Sequence, residues 1–135
     1  MIRFLFDTDI CVHLLRGRAP QLYRRLRRHK VDEVAISSIT LAELQYGVAK
    51  SARPGRHEAL LAQFLAPLAI APFDAGAAEA YGKVRTALER QGVPIGPLDT
   101  LIAAHALALH CTLVTCNERE FRRVEGLAVE NWLTH

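Results

Sequence analysis

Three acidic residues carry the chemistry this chain can do: Asp7, Glu43 and Asp99. Asp7 ends the apolar run Ile2-Arg3-Phe4-Leu5-Phe6. Glu43 follows Ala35-Ile36-Ser37-Ser38-Ile39-Thr40. Asp99 follows Gly96-Pro97-Leu98 and opens Leu101-Ile102-Ala103-Ala104. Each acid stands where an apolar run meets a turn. Acids spaced this widely can converge at the strand ends of an α/β sheet, where they form an oxygen-rich nest. Hard divalent cations such as Mg²⁺ or Mn²⁺ favour such ligands. A cation held there activates water and neutralises a phosphate.

Each acid also has a purely structural reading. Asp7, Thr8 or Asp9 can cap the following helix. One cap suffices for one helix, so two acids flanking a Thr exceed that need and favour function for Asp7. Thr40-Leu41-Ala42-Glu43 fits a capping box, and from this segment alone the structural reading of Glu43 is favoured. Asp99 can be a first-turn acid favoured by the helix dipole. Its apolar neighbours Leu98, Leu101 and Ile102 argue for partial desolvation, which calls for a metal or a basic partner. A second group follows in Val114-Thr115-Cys116-Asn117-Glu118-Arg119-Glu120-Phe121. There Thr115 and Asn117 can hold a metal-bound water, and Glu118 or Glu120 can supply a fourth carboxylate.

The elements that must position these residues alternate along the chain. Strands are predicted at 2–6, Val34–Ser37, Leu68–Ala71 and Thr112–Thr115, with a last edge strand at Ala128–Glu130. Helices are predicted over 9–16, after Pro20, from Leu41 to about Lys50, and over about 56–66, 75–91 and 98–109, with a short turn at Glu118–Arg122. Thr8 or Asp9 is the expected cap of the first helix and Gly17 its stop. Gly and Pro keep 92–97 from being helical throughout. Strands alternating with helices imply an α/β fold with a mainly parallel sheet covered on both faces. No repeat or linker divides the chain, so residues 1–135 are expected to form a single domain.

Composition sets the class. The chain has 135 residues, half of them hydrophobic, with a formal net charge of +3. Disorder is excluded, and a polyanionic partner is favoured. The arginines are clustered: Arg24, Arg25, Arg27, Arg28, His29 and Lys30 in one run, and Arg119, Arg122 and Arg123 in another. Taken singly, either cluster is as readily a solvated helix face. Asp7 interrupts the first apolar run too early for a signal peptide. No stretch reaches the ~18 apolar residues of a membrane span. Cys11, Cys111 and Cys116 are odd in number and lack CxxC spacing, which fits a reducing cytoplasm and buried thiols. With His13 and His110 they match no zinc signature.

Four segments and the tail together resemble the PIN-domain ribonucleases, and within them the VapC toxins of VapBC toxin–antitoxin systems. They are Phe6-Asp7-Thr8-Asp9-Ile10-Cys11, the run Ile36 to Gly47, the run Ile95 to Ala106, Leu113 to Phe121, and Val124 to Trp132. The resemblance spans nearly the whole length, and the order and spacing of the segments are specific. It looks closest to the subgroup that cleaves initiator tRNA in the anticodon stem-loop. It implies a PIN-like three-layer fold and makes Asp7, Glu43 and Asp99 the metal site for Mg²⁺ or Mn²⁺, with Thr8 beside them. The fourth acid falls on Glu120, Glu118 or the Asn117 position. The likeness further implies RNA hydrolysis by metal-activated water, leaving a 5′-phosphate and a 3′-hydroxyl. A VapB-like antitoxin, a homodimer, and contact with DNA only through the antitoxin are implied as well. Two positions depart from the pattern. Asp9 stands where Asn is usual, and Thr115-Cys116-Asn117 where close relatives carry Thr-Asn-Asn. His105 reads as a packing residue, and arginines of both basic clusters are expected to grip RNA phosphates.

Two rivals remain at this stage. A haloacid-dehalogenase-like phosphatase opens on Asp-x-Asp, which Asp7-Thr8-Asp9 imitates. It also needs a later lysine near a strand end, and Lys83 is the only lysine beyond residue 50. The second is a non-catalytic regulatory module whose acidic pocket binds a basic peptide.

Overall fold

The computed structural model describes residues 1–133. Thr134 and His135, included in the expected domain, lie outside the described residues. Five strands form one parallel sheet: β1 (Phe4–Phe6), β2 (Val34–Ser37), β3 (Ala69–Ala71), β4 (Thr112–Val114) and β5 (Val129–Glu130), in the order β3-β2-β1-β4-β5. Register pairs Leu5 with Ala35 on one side and with Leu113 on the other. Successive side chains alternate faces, so the three central strands serve two cores. Phe4, Phe6, Val34, Ile36 and Val114 pack on one face with Trp132. Leu5, Ala35 and Leu113 pack on the other. Burial on both faces explains why these strands read as unbroken apolar runs.

The first face is covered by α1 (Thr8–Leu15), α2 (Pro20–Leu26), α3 (Ser38–Lys50) and α4 (Pro54–Leu65). The second is covered by α5 (Ala75–Arg90), α6 (Pro97–Ala108) and the short α7 (Glu118–Phe121). The expected three-layer α/β architecture is present. Chain order runs outward from β1 to β2 and β3, then returns to β4 on the other flank of β1. This reversal leaves a crevice beyond the carboxyl ends of β1 and β4, where open α/β sheets bind ligands.

Three local expectations are corrected. The cap of α1 is Asp7, whose Oδ1 accepts from Ile10 N at 2.9 Å, rather than Thr8 or Asp9. Helix α3 begins at Ser38, capped by the Ser37 hydroxyl, which accepts from Ile39 N at 3.0 Å. Thr40 is therefore inside the helix, and the Thr40–Glu43 capping box does not form. Helix α4 begins at Pro54, because proline fits the first helical position, where its missing N–H costs nothing. A 3-10 turn at Val31–Glu33 had no sequence signal. It is closed by Lys30 N donating to Glu33 Oε1 at 2.8 Å.

Candidate active site

Asp7 leaves the end of β1 and is 2% exposed. Its backbone N–H donates to Val114 O at 3.1 Å, extending the β1–β4 pairing by one residue. Its Oδ2 accepts from the Thr115 hydroxyl at 2.5 Å. Thr115 Oγ1 in turn accepts from Asn117 N at 2.9 Å. The ends of β1 and β4 are thus clamped to each other by side chains that both follow buried strands.

Glu43 sits within α3, half-buried. It is brought to the crevice through Thr8, whose hydroxyl lies 2.6 Å from Glu43 Oε1 and 3.3 Å from Thr40 Oγ1. With Ser37 supplying the helix cap, Glu43 has no capping task left. Its capping-box reading is removed.

Asp99 lies in the first turn of α6, half-buried, against Glu120 of α7. Glu120 Oε1 accepts from Gly96 N at 3.1 Å, and its Oε2 accepts from Asn117 Nδ2. A Cβ on Gly96 would stand 3.7 Å from Asp99 Oδ2 and 3.9 Å from Glu120 Oε1, so the loop backbone lies directly over both acids. Glu118 turns away and pairs with Arg122 at 3.0 Å. Among the candidates for a fourth carboxylate, Glu120 is the one beside Asp99, and Asn117 is the residue that holds it.

Electrostatics follow from this crowding. Burial pushes the Asp7 carboxyl up to about 6, against the hydrogen bonds from Thr115 and Ile10, with Asp9 and Glu43 adding repulsion. Burial and the neighbouring Glu120 push Asp99 up to about 7, and a hydrogen bond joins the two carboxyls. Two carboxyls can bond only if one holds a proton. Among the described residues, no Lys or Arg forms an ion pair with Asp7, Glu43, Asp99 or Glu120.

The donor set is all oxygen, which suits a hard cation rather than zinc. As the side chains lie, no three His, Cys, Asp or Glu among the described residues are close enough to enclose one ion. Asp7, Glu43 and Glu120 are instead held by Thr115, Thr8 and Asn117, and Asp99 by Glu120. The unrelieved mutual repulsion of the acids is what a cation would remove.

The burial and crowding of these carboxyls have a measurable consequence without metal. Asp7 and Asp99 bind their protons more tightly folded than unfolded. Stability should therefore fall as pH rises through about 6 and about 7. His105 has the opposite sign: burial lowers its pKa, so it weakens the fold only below its ordinary value of 6.5. Urea melts in EDTA should show greater stability at pH 6.5 than at pH 8, and saturating Mn²⁺ should abolish the difference. A flat profile in EDTA would show that burial and crowding do not hold the protons of Asp7 and Asp99 as described.

The basic clusters divide. His29 packs 4.9 Å from the Phe4 ring and stacks on Trp132 at 5.3 Å, beside the amino end of β1. Arg3 N donates to Glu33 O at the same end. Residues 27–30 therefore stand at the end of the sheet away from Asp7. Arg25 pairs with Glu130 at 3.2 Å and lies over Trp132. Arg123 donates to Pro94 O at 3.1 Å, which ties α7 to the loop before Gly96. Arg119 is exposed on the short α7, adjacent in sequence to Glu120.

Sequence reasoning missed the Gly96 N–H that holds Glu120, the contact of Thr40 with Thr8, and the bond between Ser37 and His105. His105 alone left a signal, as one polar side chain in the apolar run Ile102 to Ala106. The phosphatase rival loses its lysine, since Lys83 is exposed mid-helix and paired with Glu79 at 3.3 Å.

Comparison with known proteins gives the family. The family model described as PIN domain matches residues 4–127. Ribonuclease VapC2 of Rickettsia felis is 45% identical over 130 residues, 96% of this chain and 97% of that protein. The tRNA(fMet)-specific endonuclease VapC of Shigella flexneri is 39% identical over 132 residues, 98% of this chain and 99% of that protein. Among solved structures, VapBC2 from Rickettsia felis bound to a promoter DNA fragment aligns with TM-score 0.92 at 44% identity, covering 98% of this chain and 99% of that one. DNA-bound VapBC from Salmonella typhimurium aligns with TM-score 0.94 at 37% identity over the same shares.

Proposed function

Since the chain belongs to the PIN domain family, and within it to the VapC ribonucleases, we propose that it is the toxin of a VapBC-type pair, an endoribonuclease that cuts initiator tRNA. The observation that carries the reading is the crevice itself. Asp7, Glu43, Asp99 and Glu120 line it beyond the switch point of a parallel sheet, and none is paired with a Lys or Arg among the described residues. The catalytic set we assign is Asp7, Glu43, Asp99 and Glu120, assisted by Thr8 and Asn117. Residues 1–135 act as one PIN domain.

Asp7, Glu43 and Asp99 would hold Mg²⁺ or Mn²⁺. When bound, such an ion lowers the pKa of water and offsets charge building on the phosphate. The chain's own groups do the rest. Thr115 fixes Asp7, Thr8 orients Glu43 Oε1, and Gly96 N–H with Asn117 aims Glu120 at Asp99. Arg119, at the rim, offers charge to a flanking phosphate. Binding here depends on shape and on phosphate contacts, so a loop that displays the scissile phosphate is favoured over a regular duplex.

The relatives' names support the rest. Two of the curated relatives are tRNA(fMet)-specific endonucleases, and two of the neighbouring structures are VapBC complexes bound to DNA. A VapB-like antitoxin is the partner we assign, with DNA reached through it, and a homodimer is the expected assembly. No helix among the described residues is long and apolar enough to cross a membrane, and a cytoplasmic site of action follows from an RNA substrate.

The test is the purified chain with total tRNA in Mg²⁺, read by sequencing of new 5′ ends. One dominant cut in the anticodon stem-loop of initiator tRNA is expected, with elongator tRNAs largely spared. Cleavage should weaken steeply as salt rises. Broad cutting of mRNA with initiator tRNA intact would reject the substrate and leave the nuclease standing.

A further inference from the structure

His105 is 1% exposed, in the middle of α6, among Ile102, Ala103, Ala104 and Ala106. Packing alone would be served by an aliphatic side chain. The imidazole instead bonds twice. Its Nδ1 lies 2.8 Å from Ser37 Oγ, and a second bond joins the ring to the Pro72 backbone. Pro72 has no N–H, so its carbonyl accepts and the ring donates. Ser37 Oγ already accepts from Ile39 N, which leaves its single proton free for Nδ1. One tautomer satisfies every atom: Nε2 carries the proton toward Pro72, and Nδ1 accepts from Ser37. This requires a neutral ring, as burial also favours, with Asp74 the charged group that opposes it.

The bonds join elements that matter to the site. Ser37 ends β2 and caps α3. Pro72 follows β3. Phe73, the next residue, meets the His105 ring edge-on at 5.3 Å and donates its N–H to Ser38 Oγ at 3.0 Å. Asp99 lies six residues before His105 on α6, and Glu43 six residues after Ser37 on α3, about 9 Å along each helix.

We propose that His105 is a positioning residue: its imidazole bridges Ser37 and Pro72 and so fixes the helix bearing Asp99 against the helix bearing Glu43. The idea rests on the nuclease reading for its purpose, but its test does not depend on RNA.

Three full-length variants and the wild type decide it. His105→Asn places an amide near the Nδ1 position and can still reach Ser37; His105→Gln reaches toward Nε2; His105→Leu keeps only bulk. Mn²⁺ affinity, read by electron paramagnetic resonance without RNA, should fall about tenfold in His105→Leu and recover in His105→Asn, as for other residues that orient metal ligands. Cleavage should show a lower kcat at nearly unchanged KM. Long-range ¹H–¹⁵N spectra of the wild type should show the Nε2–H tautomer of His105. A folded His105→Leu with wild-type Mn²⁺ affinity would overturn the proposal, as would an Nδ1–H tautomer. If His105→Leu does not fold, equal Mn²⁺ affinities for the Asn and Gln variants would overturn it instead. A wild type that binds Mn²⁺ but cuts no RNA would sink the nuclease reading and leave this one intact.

Discussion

Asp7→Asn should lower RNA cleavage by at least ~10²-fold while leaving the chain as stable as before or more so. The substitution keeps shape and removes charge. Asn is among the best N-caps, so its amide oxygen can go on accepting from Ile10 N. A carboxyl that titrates near 6 in the fold and at 3.8 outside it costs about 3 kcal/mol when ionised. Part of that cost returns to stability in the metal-free chain above pH 6. Part is lost where Thr115 must redirect the proton it now gives to Oδ2. A gain in stability with a loss of activity is the signature of a residue kept charged for function. Urea melts and cleavage assays on the same preparation read both. Near-wild-type cleavage by the purified variant in Mg²⁺ would sink the metal-site mechanism.

Glu43→Gln should be folded and inactive, with stability within about 0.5 kcal/mol of wild type and cleavage down ~10²-fold. The glutamine oxygen can still accept from the Thr8 hydroxyl, and Ser37 keeps capping α3. Neither the helix nor the contact is lost, only the negative charge. The result separates two roles that the sequence alone left open. An active Glu43→Gln would return the residue to structure and reduce the metal site to Asp7 and Asp99.

Much of this molecule was legible before folding. Phe4 to Phe6, Val34 to Ser37 and Thr112 to Val114 read as buried strands because both their faces are covered, so no polar residue interrupts them. Pro20, Pro54 and Pro97 stand at the first positions of three helices, and Gly17 and Gly92 follow two others with positive φ. These are local preferences of backbone geometry, and local sequence states them. Asp7 and Asp99 were visible for a related reason: a charge at the edge of an apolar run is costly unless something receives it.

Where two local rules competed, the sequence could not choose. Ser37 and Thr40 are both good caps, and the choice fell to Ser37 because β2, paired to β1 and β3, ends there. Glu118 and Glu120 are equivalent along the chain. They differ because α7 is tied to the loop before α6, which turns Glu120 toward Gly96 and Asp99 and leaves Glu118 to Arg122. The basic run at 24–30 carries charge but no address. Only the packing of His29 on Phe4 and Trp132 places its later residues at the far end of the sheet.

The amino acids thus determined by themselves which segments are buried, where helices start and stop, and which carboxylates lack a local reason to exist. The strand order decided the site. It sets β1 between β2 and β4, and so brings Thr8 to Glu43 across 35 residues and Asp7 to Thr115 across 108. Hydrogen bonds and Coulomb forces act over a few ångströms of space and ignore distance along the chain, so partners this remote leave no pattern in any window of sequence.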